Sequence, residues 1–118
     1  MYKQISHTVS AAEAAGTDNV MVEVGFVPDR IVVKNRTSDY TLEWNSNMAA
    51  DEYWQTVGST GVDTFEDTGT DTFMVVDGSD KTNNLGVSFG IEVLGNLANV
   101  TDTAAEVLDI YLFREDGV

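Results

Sequence analysis

Residues 20–45 read VMVEVGFVPDRIVVKNRTSDYTLEWN, and their alternation decides the fold class. Val20, Val22, Val24 and Phe26 fall on one side of an extended chain, while Met21, Glu23 and Gly25 fall on the other. A period of two with one apolar side is the pattern of a half-buried β-strand. Ile31 and Val33 repeat it with Arg30 and Lys34 on the opposite face, and Tyr40, Leu42 and Trp44 alternate with Thr41, Glu43 and Asn45. Pro28-Asp29 and Ser38-Asp39 supply turn chemistry between the runs. The first two runs are expected to form a hairpin.

The same period extends along most of the chain. From Asn47 to Val57 the spacing is mixed, because Ala49, Tyr53 and Val57 also suit a helix; a short strand from Tyr53 is the favoured reading. Phe73 and Val75 follow, then an Asp77-Gly78 turn, then Leu85, Val87, Phe89, Ile91 and Val93 in strict alternation. The last run, Val107 to Arg114, has Leu108, Ile110 and Leu112 on one face and Val107, Tyr111 and Phe113 on the other. Two apolar faces imply a central position in a layered core or cover by another subunit. Seven or eight short strands without a long helix predict an all-β, single-domain, jelly-roll-like β-sandwich over residues 20–118. Residues 1–19 carry no comparable core pattern. They are expected to form an N-terminal arm, lying on a neighbour or partly mobile, with Tyr2, Ile5, His7 and Val9 as its contact residues.

Composition narrows the function. At 118 residues the chain suits one domain, and 20 acidic against 6 basic residues give a net charge of −14. Such a surface repels phosphate backbones, so a nucleic-acid partner is not expected. A hydrophobic content of 42 % shows that the charge decorates a folded body. The absence of cysteine removes disulfides, thiolate metal sites and thiol nucleophiles. The start, MYKQISHTVS, has no apolar targeting core, and no run is long enough for a membrane helix. The product is therefore expected to stay in the cell that makes it or to leave by lysis. Asn35-Arg36-Thr37 and Asn99-Val100-Thr101 match the glycosylation tripeptide, which means little without a secretory signal.

Residues 65–76, FEDTGTDTFMVV, contain the Asp67-Thr68-Gly69 triplet that retroviral-type aspartic proteases carry at their active site. In that family two such carboxylates share a proton behind apolar walls. Here Glu66 precedes the triplet, Asp63 and Asp71 stand nearby, and the Val93-Leu94-Gly95-Asn96 segment follows too closely to leave room for a flap. A turn joining two strands is the favoured reading. The echo of Asp63-Thr64-Phe65 in Asp71-Thr72-Phe73 would place the two copies on facing strands of a hairpin. Calcium at Asp63, Glu66, Asp67 and Asp71, or at Asp77 and Asp80, lacks the spaced ligand pattern of known loops. No metal, cofactor or catalytic group is expected. Trp44 is assigned to the core, whereas Tyr53 and Trp54 are the candidate exposed aromatic surface for a subunit or a glycan.

Residues 24–48, VGFVPDRIVVKNRTSDYTLEWNSNM, resemble a pattern found in small virion proteins of tailed bacteriophages. Gly25, Phe26, Pro28, Asn35, Trp44 and Met48 carry it, and residues 76–91 and the closing LDIYLFRED are similar to its later parts. The resemblance implies a capsid decoration, or cement, protein, often trimeric, that binds the outer surface of the major capsid protein shell. The candidate interface residues, read from the arm, the aromatic pair and the second face of the last run, are Tyr2, Ile5, His7, Val9, Tyr53, Trp54, Val107, Tyr111 and Phe113. A head-fibre or tail-associated receptor- or glycan-binding module is the alternative, and the protease a remote one.

Overall fold

A computed structural model describes residues 1–76 and 89–115. Two antiparallel sheets face each other across one apolar core. The larger contains β1 (Tyr2–Thr8), β3 (Arg30–Asn35), β4 (Tyr40–Asn45), β5 (Glu52–Val57), β6 (Val62–Asp67) and β9 (Val107–Phe113) in the order β1-β9-β3-β4-β5-β6. The smaller contains β2 (Val20–Glu23), β7 (Phe73–Val76) and β8 (Gly90–Val93) in the order β2-β8-β7. The one helix among the described residues is α1 (Ala11–Ala15). The fold is thus an all-β sandwich. β1 pairs with β9 and β2 with β8, so the two ends of the described chain roll up on each other, while β3 to β6 run as a meander.

The alternating residues fill the space between the sheets. Ile31, Val33, Leu42, Trp44, Leu108, Ile110 and Leu112 come from the large sheet, and Val20, Val22, Phe73, Ile91 and Val93 from the small one; all are buried. Burying each side chain of this size contributes roughly 1.5–3 kcal/mol. Trp44 stacks on Phe73 at 6.4 Å and its Nε1 donates to the Ala49 carbonyl at 3.0 Å, so its polar tip is satisfied inside the core. The expected turn at Asp77-Gly78, the acidic pair Asp77 and Asp80, and Leu85 and Val87 lie outside the described residues.

Three expectations are corrected. Residues 20–23 and 30–35 do not form a hairpin: β2 pairs with β8 and β3 with β4 and β9. Their apolar faces meet across the core, and Gly25, at φ 80°, lets the chain cross between the layers. The Asp-Thr-Phe copies are not on paired strands either, since β6 pairs with β5 and β7 with β8. Residues 1–19, finally, are integral to the sandwich. β1 is a full-length strand of the large sheet, Val9 is 2 % exposed within the core, and Ala14 packs against that core.

Local chemistry fixes the junction between β1 and β2. Ser10 caps α1: its Oγ accepts from the Glu13 N–H at 3.1 Å, and Glu13 Oε1 accepts from the Ser10 N–H at 2.9 Å. Gly16, left-handed at φ 82°, ends the helix. Gly95 packs directly on the Asp18 and Glu13 carbonyls, where a side chain has no room. It therefore braces α1.

Candidate functional site

On the outer face of the large sheet several unburied aromatic and basic side chains converge. The register forms two rows across the strands. One runs Gln4, Tyr111, Val32, Glu43, Trp54, Phe65; the other begins Tyr2, Phe113, Arg30, Asn45. Same-face neighbours in adjacent strands interact most directly. Tyr2 lies 5.1 Å from Phe113 and Trp54 meets Phe65 edge-on at 5.4 Å. Arg30 sits over Phe113 at 5.0 Å and Lys34 over Tyr111 at 5.7 Å, so two cations cover two rings.

Between these side chains is an open groove of about 410 Å³ whose walls include Arg30, Lys34, Glu43, Tyr111 and Phe113. Val32 forms its floor and is only 8 % exposed although it points outward. Arg30 Nε donates to Glu43 Oε1 at 2.8 Å across one side. At the end nearer the β3–β4 turn, Arg36 makes two hydrogen bonds to Asp109, at 2.6 and 3.1 Å, and Ser6 adds a third at 3.1 Å. The Arg36 guanidinium, with help from Ser6 and Lys34, holds the Asp109 carboxyl below its ordinary range. Asn35 anchors the same turn from inside. Its Nδ2 donates to the Val100 carbonyl and to Glu106, while its Oδ1 accepts from the Thr37 and Ser38 N–H groups.

The expected interface residues divide by face. Tyr2, Trp54, Val107, Tyr111 and Phe113 point outward, with Tyr2 and Trp54 the more exposed. Val9 and Tyr53 are core residues, a correction to their expected exposure: Tyr53 is 4 % exposed and packs edge-on against Phe73. Ile5 packs partly against the core, and His7 is half-buried with its Nε2 2.8 Å from Glu13 Oε1. Burial alone would disfavour the Glu13 charge, but the hydrogen bonds from Ser10 and then His7 hold its carboxyl below the ordinary range. Sequence reasoning missed Arg30, Lys34, Glu43 and Phe65 as parts of this surface. Their outward positions were legible from the alternation; the neighbouring β9 rings were not.

Asp67 ends an exposed edge strand, and Gly69 turns the chain at φ 73°. Thr68 secures the turn by accepting from the Thr70 N–H at 3.2 Å and donating to the Asp51 carbonyl from its own N–H at 3.1 Å. The Asp51 carboxylate, then partial desolvation and Glu52, pushes the Asp67 carboxyl upward. Asp67 is exposed, whereas the proton-sharing geometry of an aspartic protease requires a carboxyl walled by apolar residues. Among the described residues, no group of three or more His, Asp or Glu side chains is arranged to hold a metal ion, and no helix is long and apolar enough to cross a membrane. No family model, curated protein or solved structure matches this chain.

Proposed function

We propose that this is a structural virion protein of a tailed bacteriophage, a decoration or cement protein that docks on the outer surface of the major capsid shell and reinforces it. The observation that carries the reading is the groove on β3, β4 and β9. In a chain of net charge −14, Arg30, Lys34 and Arg36 gather on one sheet face beside Tyr111 and Phe113. Arginine and tyrosine, set among aromatic neighbours, are the residue types that dominate protein–protein hot spots. The acidic remainder of the surface keeps neighbouring particles apart. A homo-oligomer, as the resemblance implies, engages several shell subunits at once, and each added contact is effectively intramolecular.

A receptor- or glycan-binding module is the second reading, favoured by the exposed Trp54–Phe65 pair on the same face. The two separate by experiment. Purified particles of the phage that encodes this sequence, analysed by quantitative mass spectrometry, should contain the chain in numbers comparable to the capsid subunit. Recombinant protein should rebind particles stripped of it. A copy number of only a few per particle, together with binding to cells or glycans, favours the second reading.

A further inference from the structure

The two edges of the large sheet are chemically complementary, and we infer that β6 of one copy adds as an antiparallel strand to β1 of the next. Among the described residues, β6 pairs only with β5 and β1 only with β9, so each leaves one row of backbone groups open. β6 is the more exposed. Val62 on its inner side is 55 % exposed and Phe65 on its outer side is 45 % exposed. An edge strand bare on both faces is a template for another strand.

Charge selects the occupant. β6 carries Asp63, Glu66 and Asp67 and no cation, whereas β1 carries Lys3 and His7 and no carboxylate. Pairing β6 with a second β6 about Phe65 sets Asp63 opposite Asp67 twice, and like charges directly opposite destabilise a sheet; pairing about Thr64 sets Glu66 opposite Val62 and Asp63 opposite Phe65, so neither register provides an ion pair. Direction agrees as well. Six strands, each antiparallel to the next, leave β1 and β6 running oppositely, so a copy in the same orientation presents β1 antiparallel to β6.

Faces and full overlap fix the register. With inner residues meeting inner ones, Val62 to Asp67 stand opposite His7 to Tyr2 of the next copy. Glu66 then faces Lys3, Asp63 faces Ser6, Asp67 faces Tyr2, and Phe65 continues the row that begins at Gln4. Such an interface is heterologous: it closes into a ring or continues as a filament. It stands independently of the particle to which the protein attaches.

The absence of cysteine permits a direct test. Ser6→Cys and Asp63→Cys proteins, mixed and oxidised, should give a disulfide-linked heterodimer, while Phe65→Cys alone should not cross-link. In sedimentation, Lys3→Glu and Glu66→Lys should each reduce the oligomer, and the double variant should restore it. Hydrogen exchange of the unmodified protein should show β1 and β6 gaining protection together as concentration rises. A wild type that stays monomeric without such protection, or a Phe65→Cys homodimer in place of the mixed one, overturns the inference.

Discussion

The Arg30 guanidinium lies over the Phe113 ring, 5.0 Å from its centre, while its Nε holds Glu43 at 2.8 Å. One cation therefore covers an aromatic ring and builds a wall of the groove. Arg30→Glu should lower occupancy on particles at least about tenfold, the equivalent of roughly 1.4 kcal/mol. Thermal unfolding should change by only a few degrees, because exposed pairs of this kind contribute about 1 kcal/mol or less to folding. Titration of shells with labelled protein reads the first effect and calorimetry the second.

Asn35 is 1 % exposed and has both ends of its amide engaged. Asn35→Ala would strand the Thr37 and Ser38 N–H groups and the Val100 carbonyl together. A loss of about 2–4 kcal/mol is expected, read as a lower denaturant midpoint with an unchanged slope. The alanine variant should also loosen the loop at Val100, which Asn35 ties to the β3–β4 turn.

Glu13 gives a pH dependence with a defined sign. Its folded carboxyl lies below the ordinary value of 4.5, so its contribution is fully present above that value and is lost as pH falls through the folded pKa. Glu13→Gln keeps an acceptor for the Ser10 N–H but removes the charge, and should therefore cost about 1 kcal/mol at neutral pH through the weaker neutral cap and His7 contact. The gap from wild type should narrow in acid. Urea titrations across the acid range measure it.

Asp67 has the opposite sign. Asp51, followed by desolvation and Glu52, raises its folded carboxyl, so ionisation opposes folding as pH rises through that folded pKa. Asp67→Asn should match wild type in strong acid and become the more stable protein at neutral pH. It should also leave particle binding intact. A pepstatin-sensitive peptidase activity that disappears in this variant would restore the protease reading.

The alternation that identified these strands also assigned their faces. Ile31, Val33, Leu42, Trp44, Leu108, Ile110 and Leu112 all point into the core, as their spacing predicts. Pairing was harder to read because it is long-range: β3 lies beside β9, whose residues are more than seventy positions away in sequence. Tyr53 and Trp54 are adjacent in one strand, so they must point to opposite faces, and nothing local says which is buried. β1 hides its role because Ile5 is the only aliphatic residue on its inner side. α1 and His7 cover that end of the sheet, so the strand needs no apolar stripe there.

Truncation tests the corrected role of the first residues. Removing residues 2–9 uncovers β9 along its whole length and deletes the buried Val9, whose backbone bonds Ala105 and Glu106. The shortened chain should be destabilised by more than about 3 kcal/mol and should aggregate through the freed edge. A detached arm would leave the thermal midpoint unchanged.

The proposed role is tested most directly by a cryo-electron microscopy reconstruction of phage particles assembled in the presence of this protein. A decoration protein should give a sandwich-shaped density on the outside of the capsid, with the large sheet facing the shell and Arg30, Lys34, Tyr111 and Phe113 in contact with the major capsid protein. Density confined to the tail or a fibre tip, or a sandwich on the capsid with this face turned to solvent, would contradict it.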